Sequence, residues 1–315
     1  MSVLSFPAQP ALPAQPVQGA GPALRPVPWQ RMVWVTWRQH RGTLAGVIAV
    51  LAVVSVFLLV MGLKTHHDYA ALIGCQPAGS TACSALNRNF NNTDWPISNT
   101  VAILVSLAPA LLGAFTGPAV LARELETGTF RYAWTQGIGR VRWTIAKLAL
   151  LAVVIMLMTW AFSQLYTWFF EPARQFESMN VLAVGVFETR GIDFAAWTLA
   201  AFAIGVFLGM LIRRVVPAMA ATLGAYLGFQ LLAWLVLRED YPVAVNTTNA
   251  SLFNGPSTPD SPWILKTWTA GSTNWWRYIP VSRFWPMQLI EAGWLLVLAI
   301  ALGAGAVWLV RRRAA

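Results

Sequence analysis

Residues 122–147, ARELETGTFRYAWTQGIGRVRWTIAK, hold the densest run of side chains able to do chemistry or make contacts. Arg123, Glu124, Glu126, Arg131, Arg140, Arg142 and Lys147 are charged. Gly128 interrupts a helix, and Thr129 can cap a new one from Phe130. A short helix at 130–136 would turn Phe130, Tyr132 and Trp134 away from the bilayer. Exposed aromatics flanked by charge suit docking into a partner's groove, and an interfacial linker without a partner would carry the same composition.

Other candidate chemistry is thin. There is no phosphate-cradling glycine loop with its lysine, no His-Glu-x-x-His and no Gly-x-Ser-x-Gly, so no cofactor or metal is expected on this chain. His66, His67 and Asp68 are adjacent and diverge, which favours a solvated loop over a metal site. Lys147 is expected to snorkel from an inner span end and Glu291 to sit near an outer one. A buried carboxylate or histidine relay, normal for a proton-driven carrier, is not evident.

The elements around these residues are apolar. Of 315 residues, 57% are hydrophobic and 11% charged, against about 25% charged in soluble domains. Six runs, at 42–63, 99–121, 144–170, 194–212, 216–237 and 287–310, approach or exceed the roughly 20 residues a spanning helix needs. The expected fold is an all-α polytopic membrane protein. Lys and Arg mark cytoplasmic loops. With both termini inside, the inner side holds fourteen of the 22 basic residues and only two of the 12 acidic ones, Glu124 and Glu126. The net charge of +10 therefore follows membrane orientation, and no nucleic-acid partner is expected.

Residues 1–28, with seven prolines, read as a disordered tail and not as a cleaved export signal. Residues 29–41, WQRMVWVTWRQHR, suit a separate interfacial helix with tryptophans at headgroup depth, or else a simple extension of the first span. Cys75 and Cys83 share an outer loop, where two such thiols can oxidise to a disulfide or stay unpaired. Pro109, Gly113, Gly117 and Pro118 in the second span suit a face against protein or a pathway, or else an ordinary kinked span. Residues 238–286 end in WWRYIPVSRFWP, read as an outer re-entrant element before the last span.

The segment Ala122-Arg123-Glu124-Leu125-Glu126-Thr127-Gly128-Thr129, followed by Trp134-Thr135-Gln136, Arg140, Arg142-Trp143 and Lys147, resembles ABC type-2 transporter permeases of actinobacteria. The start, Trp34-Val35-Thr36-Trp37-Arg38-Gln39-His40-Arg41, and Pro280, Arg283-Phe284-Trp285-Pro286, Gln288 and Glu291 are similar to the same family. The resemblance implies the membrane subunit of an ATP-driven exporter in a bacterial plasma membrane. A separate cytoplasmic ATPase chain would hold ATP and Mg, and a second permease chain, identical or not, would complete the pathway within membrane lipid. Carried onto this chain, Arg123, Glu124, Glu126, Gly128, Thr129, Phe130, Tyr132 and Trp134 would contact the ATPase. Apart from the resemblance, the acidic pair is placed to form charge pairs with Arg31, Arg38 or Arg131, in coupling or only to hold the fold. Spans two and five would line the pathway. Trp275, Trp276, Arg283, Phe284, Trp285 and Glu291 would form the outer gate, and the cargo would be hydrophobic or amphipathic. A polytopic enzyme acting on lipid, or a regulatory membrane protein without transport, are the alternative readings.

Overall fold

The structure is a computed structural model and describes residues 29–127, 140–183, 185–237, 243–249 and 262–313. The N-terminal tail, Gly128, Thr129, Phe130, Arg131, Tyr132 and Trp134 lie outside the described residues. Six helical segments are long and apolar enough to cross a membrane, so the chain is a mostly helical polytopic membrane protein.

Helix α1, Trp29–Ile73, is unbroken. At 1.5 Å per residue it is about 67 Å long, roughly twice the hydrocarbon thickness of a bilayer. The separate interfacial helix expected over 29–41 is therefore the first part of the first spanning helix, because nothing in RQHRGTLAG terminates it. His66, His67 and Asp68, expected in a loop, lie on its far turns. There the His66 ring stacks on Trp168 at 4.7 Å, and Lys64 Nζ donates to Asp68 (2.8 Å) and Asp94 (2.5 Å).

A short turn closed by a Cys75–Cys83 disulfide leads to α2, Thr81–Asn89, whose first turn is capped by Ser80. A π-helical turn, Phe90–Asp94, runs into α3, Trp95–Thr127. Then follow α4, Arg140–Phe176; α5, Asp193–Ile212; α6, Val215–Leu232; and α7, Phe284–Arg313.

Helix α5 is the centre of the bundle. Its sequence, DFAAWTLAAFAIGVFLGMLI, is apolar all round, as a fully surrounded helix requires. Its small residues admit α3 to backbone contact. A Cβ added at Gly117 would lie 2.6 Å from the Phe202 carbonyl oxygen, and one at Gly205 would lie 2.8 Å from that of Gly113. The second span thus turns its glycines to protein. Pro109 and Pro118 stay inside the helix, where the neighbouring helix covers the disturbed backbone.

The re-entrant element expected before the last span is a small sheet instead. Strands β1 (Val245–Thr247), β2 (Trp263–Ala270) and β3 (Thr273–Ile279) pair antiparallel in the order β1-β3-β2. The β2–β3 hairpin turns at Gly271, whose φ of +63° suits glycine. Alternating aromatic and β-branched residues favour strands over a membrane-dipping coil. Under the sheet, Leu182, Phe187, Val243, Ile279 and Met287 form a buried apolar cluster. Hence the bundle has a sheet end and, opposite it, an arginine end bearing Arg213, Arg214, Arg311 and Arg312.

Candidate functional site

At the arginine end, α3 and α4 approach the polar connection between them. Lys147 is fully buried on α4. A lone ammonium there would be costly, so its surroundings supply an anion and a carbonyl. Its Nζ donates to Glu124 Oε1 at 2.5 Å and to the Val120 carbonyl at 2.9 Å. The lysine expected to snorkel is therefore turned inward. Glu124 pairs with Lys147; of the arginines expected to pair with it, Arg38 lies over the Trp34 ring at 5.4 Å, and Arg131 lies outside the described residues.

Glu126, on the last turns of α3, reaches a different element. Its Oε2 accepts from the Val215 backbone N–H at 3.3 Å, at the start of α6. A carboxylate beside the exposed N–H groups of a helix start is favourable. The α5–α6 turn that presents this N–H is made by Arg213 in the left-handed conformation, φ +60°, followed by extended Arg214. Both glutamates thus anchor the end of α3, one to α4 and one to α6. Arg123 is exposed beside them.

At the sheet end the expected gate residues are spread over the hairpin and the start of α7. Trp275 stacks on Trp268 across the hairpin, with ring centroids 6.1 Å apart. Trp276 is half-buried on the same strand, facing Thr247 and Thr267 in register. Arg283 closes a 3-10 turn before α7, Phe284 packs edge-on to Phe187 at 5.7 Å, and Trp285 is exposed. Glu291 alone points into the bundle. It is fully buried, and its Oε1 accepts from Trp197 Nε1 at 2.8 Å.

Around Glu291 lies a polar layer that sequence reasoning missed. Gln288 Nε2 donates to the Arg190 carbonyl (2.8 Å), and its Oε1 accepts from Ile192 N (3.1 Å). Glu188 accepts from Trp234 Nε1 (2.8 Å) and from Gly185 N (2.6 Å). Glu171 accepts from Arg174 (2.5 Å) and Arg190 (2.7 Å). Burial pulls the Arg190 guanidinium down from its ordinary value, and Glu171 opposes that. Beside this layer Trp197, Tyr226, Phe229 and Trp294 interlock, three of their contacts edge-on at 5.4 to 5.6 Å and Trp197–Phe229 tilted at 6.0 Å. One signal was legible: Gln288 and Glu291 stand three residues apart, on one helix face.

The structure thus combines six spanning helices, a polar connection tied into the bundle at one end, and an aromatic–carboxylate layer closing the other. A family profile described as ABC-2 membrane transporter related matches residues 48–238, more than half of the chain. The chain belongs to that family. Searches of curated proteins and of solved structures found no match. As a member of the ABC-2 family, the chain is a transporter membrane subunit and not itself the catalytic part; family membership implies association with an ATPase subunit. The matched residues run from α1 to the end of the π-helical turn after α6, so they include Glu124, Glu126 and Lys147.

Proposed function

We propose that this permease is the membrane half of an ATP-driven exporter, with its arginine end facing the cytoplasm. The excess of Lys and Arg at that end and the disulfide at the other support this orientation. An ATPase chain carrying ATP and Mg docks on the connection between α3 and α4, through Arg123, Glu124, Glu126, Gly128, Thr129, Phe130, Tyr132 and Trp134. The observation that carries this reading is the double anchoring of the end of α3. Force applied to that connection passes through Glu124–Lys147 into α4 and through Glu126 into α6, with little slack.

A second permease chain, of the same or another sequence, sits against the face that α3 and α6 leave open to the membrane. Leu104, Leu107, Leu111 and Phe115 of α3 are exposed there at helical spacing. Gly224 and Gly228 of α6 have open space where a Cβ would stand. Small residues four apart let two membrane helices approach closely. The substrate is hydrophobic or amphipathic and moves outward between the two chains. Glu291, held by Trp197, is the inner part of the outer gate; Trp275, Trp276, Arg283, Phe284 and Trp285 form its outer part.

The test is purification of the intact chain from its native membranes in mild detergent. A stoichiometric subunit with a nucleotide-binding loop is expected to co-elute, and to be lost from Glu126→Ala/Gly128→Trp while the variant stays in the membrane. A chain that elutes alone in several detergents overturns the reading.

A further inference from the structure

Helices α4 and α7 both rest on α5 but diverge from one another, leaving a lateral groove of about 850 Å³. Its walls are apolar: Leu148 and Ala152 from α4, Phe202 and Val206 from α5, Ile300 and Gly303 from α7. Lining residues on α7 run from Leu296 to Arg311. Fifteen residues at 1.5 Å make a slot about 22 Å long. One leaflet contributes about 15 Å of hydrocarbon, half of a bilayer core, so the slot spans a leaflet and reaches headgroup depth.

The mouth differs from the walls. Arg311 lines it and is exposed. Trp308, also lining it, is half-exposed and lies under the Arg312 guanidinium at 4.3 Å. A tryptophan held at this depth marks the membrane–water interface. An apolar slot of leaflet length with arginine at its headgroup end matches one molecule: an anionic phospholipid.

We propose that the α4–α5–α7 groove binds an anionic phospholipid from the leaflet facing the arginine end, one acyl chain along Phe202 and Gly303 and the phosphate on Arg311. A zwitterionic lipid offers the same chain and no net charge for that arginine. Free phosphate offers the charge and nothing for the slot. The site lies apart from the α3–α6 face. Its α4 wall starts at Val141, just past the connection between α3 and α4, but it includes none of the residues proposed to dock the ATPase. It therefore stands whether or not the exporter reading does.

The experiment uses the full chain in nanodiscs containing equal phosphatidylglycerol and phosphatidylcholine, extracted gently and weighed by native mass spectrometry. One phosphatidylglycerol per chain is expected to survive extraction, and inorganic phosphate at millimolar concentration should not displace it. Arg311→Gln should weaken retention by about fivefold, one arginine's share of attraction to an anionic lipid. Gly303→Phe should abolish it by filling the slot, since nothing lies within 4 Å of a Cβ there. Gly293→Phe, equally open but outside the groove, should retain the lipid. Equal retention of the two lipids, displacement by phosphate, unchanged retention in Gly303→Phe, or loss of a second protein chain in that variant without any bound lipid would each overturn the proposal.

Discussion

On one side of α5, α3 comes so close that Gly113 and Gly117 meet the backbone of Ala201, Phe202 and Gly205. On the other, α4 and α7 both pack on α5 but leave a cleft between them beside Phe202 and Val206. The same central helix supports a closed seam and an open groove. The difference lies in the partners. α3 brings glycine against the α5 backbone, whereas along the cleft the bulky Ile145, Leu148, Ile300 and Trp308 stand beside small residues such as Ala152 and Gly303. In a membrane no water is expelled between helices, so association depends on close packing, and small residues decide where it occurs. A helix bundle can in this way be rigid along one seam and accessible along another.

The comparison can be broken from either side. The largest effect is expected at the end of the seam, where Glu124→Leu would leave the Lys147 ammonium buried without its carboxylate. A loss of about 3–5 kcal/mol is expected, with most of it recovered in Glu124→Leu/Lys147→Met. Thermal unfolding of the detergent-solubilised chain measures both, and a double variant as unstable as the single one would show that the pair is not what holds α3 to α4. Next comes Gly113→Leu, which forces side-chain atoms into the Ala201 backbone. The cost should reach about 3 kcal/mol, the upper part of the range for overpacking, and appear as a broadened, aggregated peak in size-exclusion chromatography. A sharp peak with unchanged melting would mean the seam is looser than its geometry.

A smaller effect is expected away from α5. Reducing or replacing the Cys75–Cys83 bridge with Cys75→Ser releases a short loop, worth about 2.5 kcal/mol in the chain-entropy account. Its signature should be earlier proteolysis between α1 and α3, with the melting of the bundle changed less. The smallest effect sharpens the comparison most. Gly303→Phe, in the open groove, should change stability by less than about 0.5 kcal/mol, as expected of a substitution that meets open space. A glycine-to-large change that is ruinous on α3 and silent on α7 would establish the asymmetry in a single assay.

Much of the membrane architecture was legible in composition. Six long apolar runs cannot be folded in water, and each lies in a helix of the structure. Pro109, Gly113, Gly117 and Pro118 were compatible with a protein-facing second span and with an ordinary kinked one, and the packing on α5 decides for the first. The connection between α3 and α4 stood out by charge alone, although its centre lies outside the described residues. Two local readings failed for one reason. Charge pattern separates a helix over 29–41 from the first span, and aromatics place the segment before the last span in the membrane. Charge and aromaticity report depth in a bilayer, not backbone conformation, so an unbroken helix and a β-hairpin were both compatible with them.

The sequence by itself determined that this is a membrane protein, where its spans run and which ends of them are basic, because transfer of apolar and charged groups between water and lipid depends on residue type alone. Tertiary structure decided the rest. That α5 is the centre, that Lys147 turns inward to Glu124, that Glu126 caps α6 and that Glu291 meets Trp197 are matters of which helix stands beside which. Each of these pairs joins different helices, and Trp197 and Glu291 lie 94 positions apart in the chain. Side-chain polarity fixes that a buried charge must find a partner; only packing fixes which one.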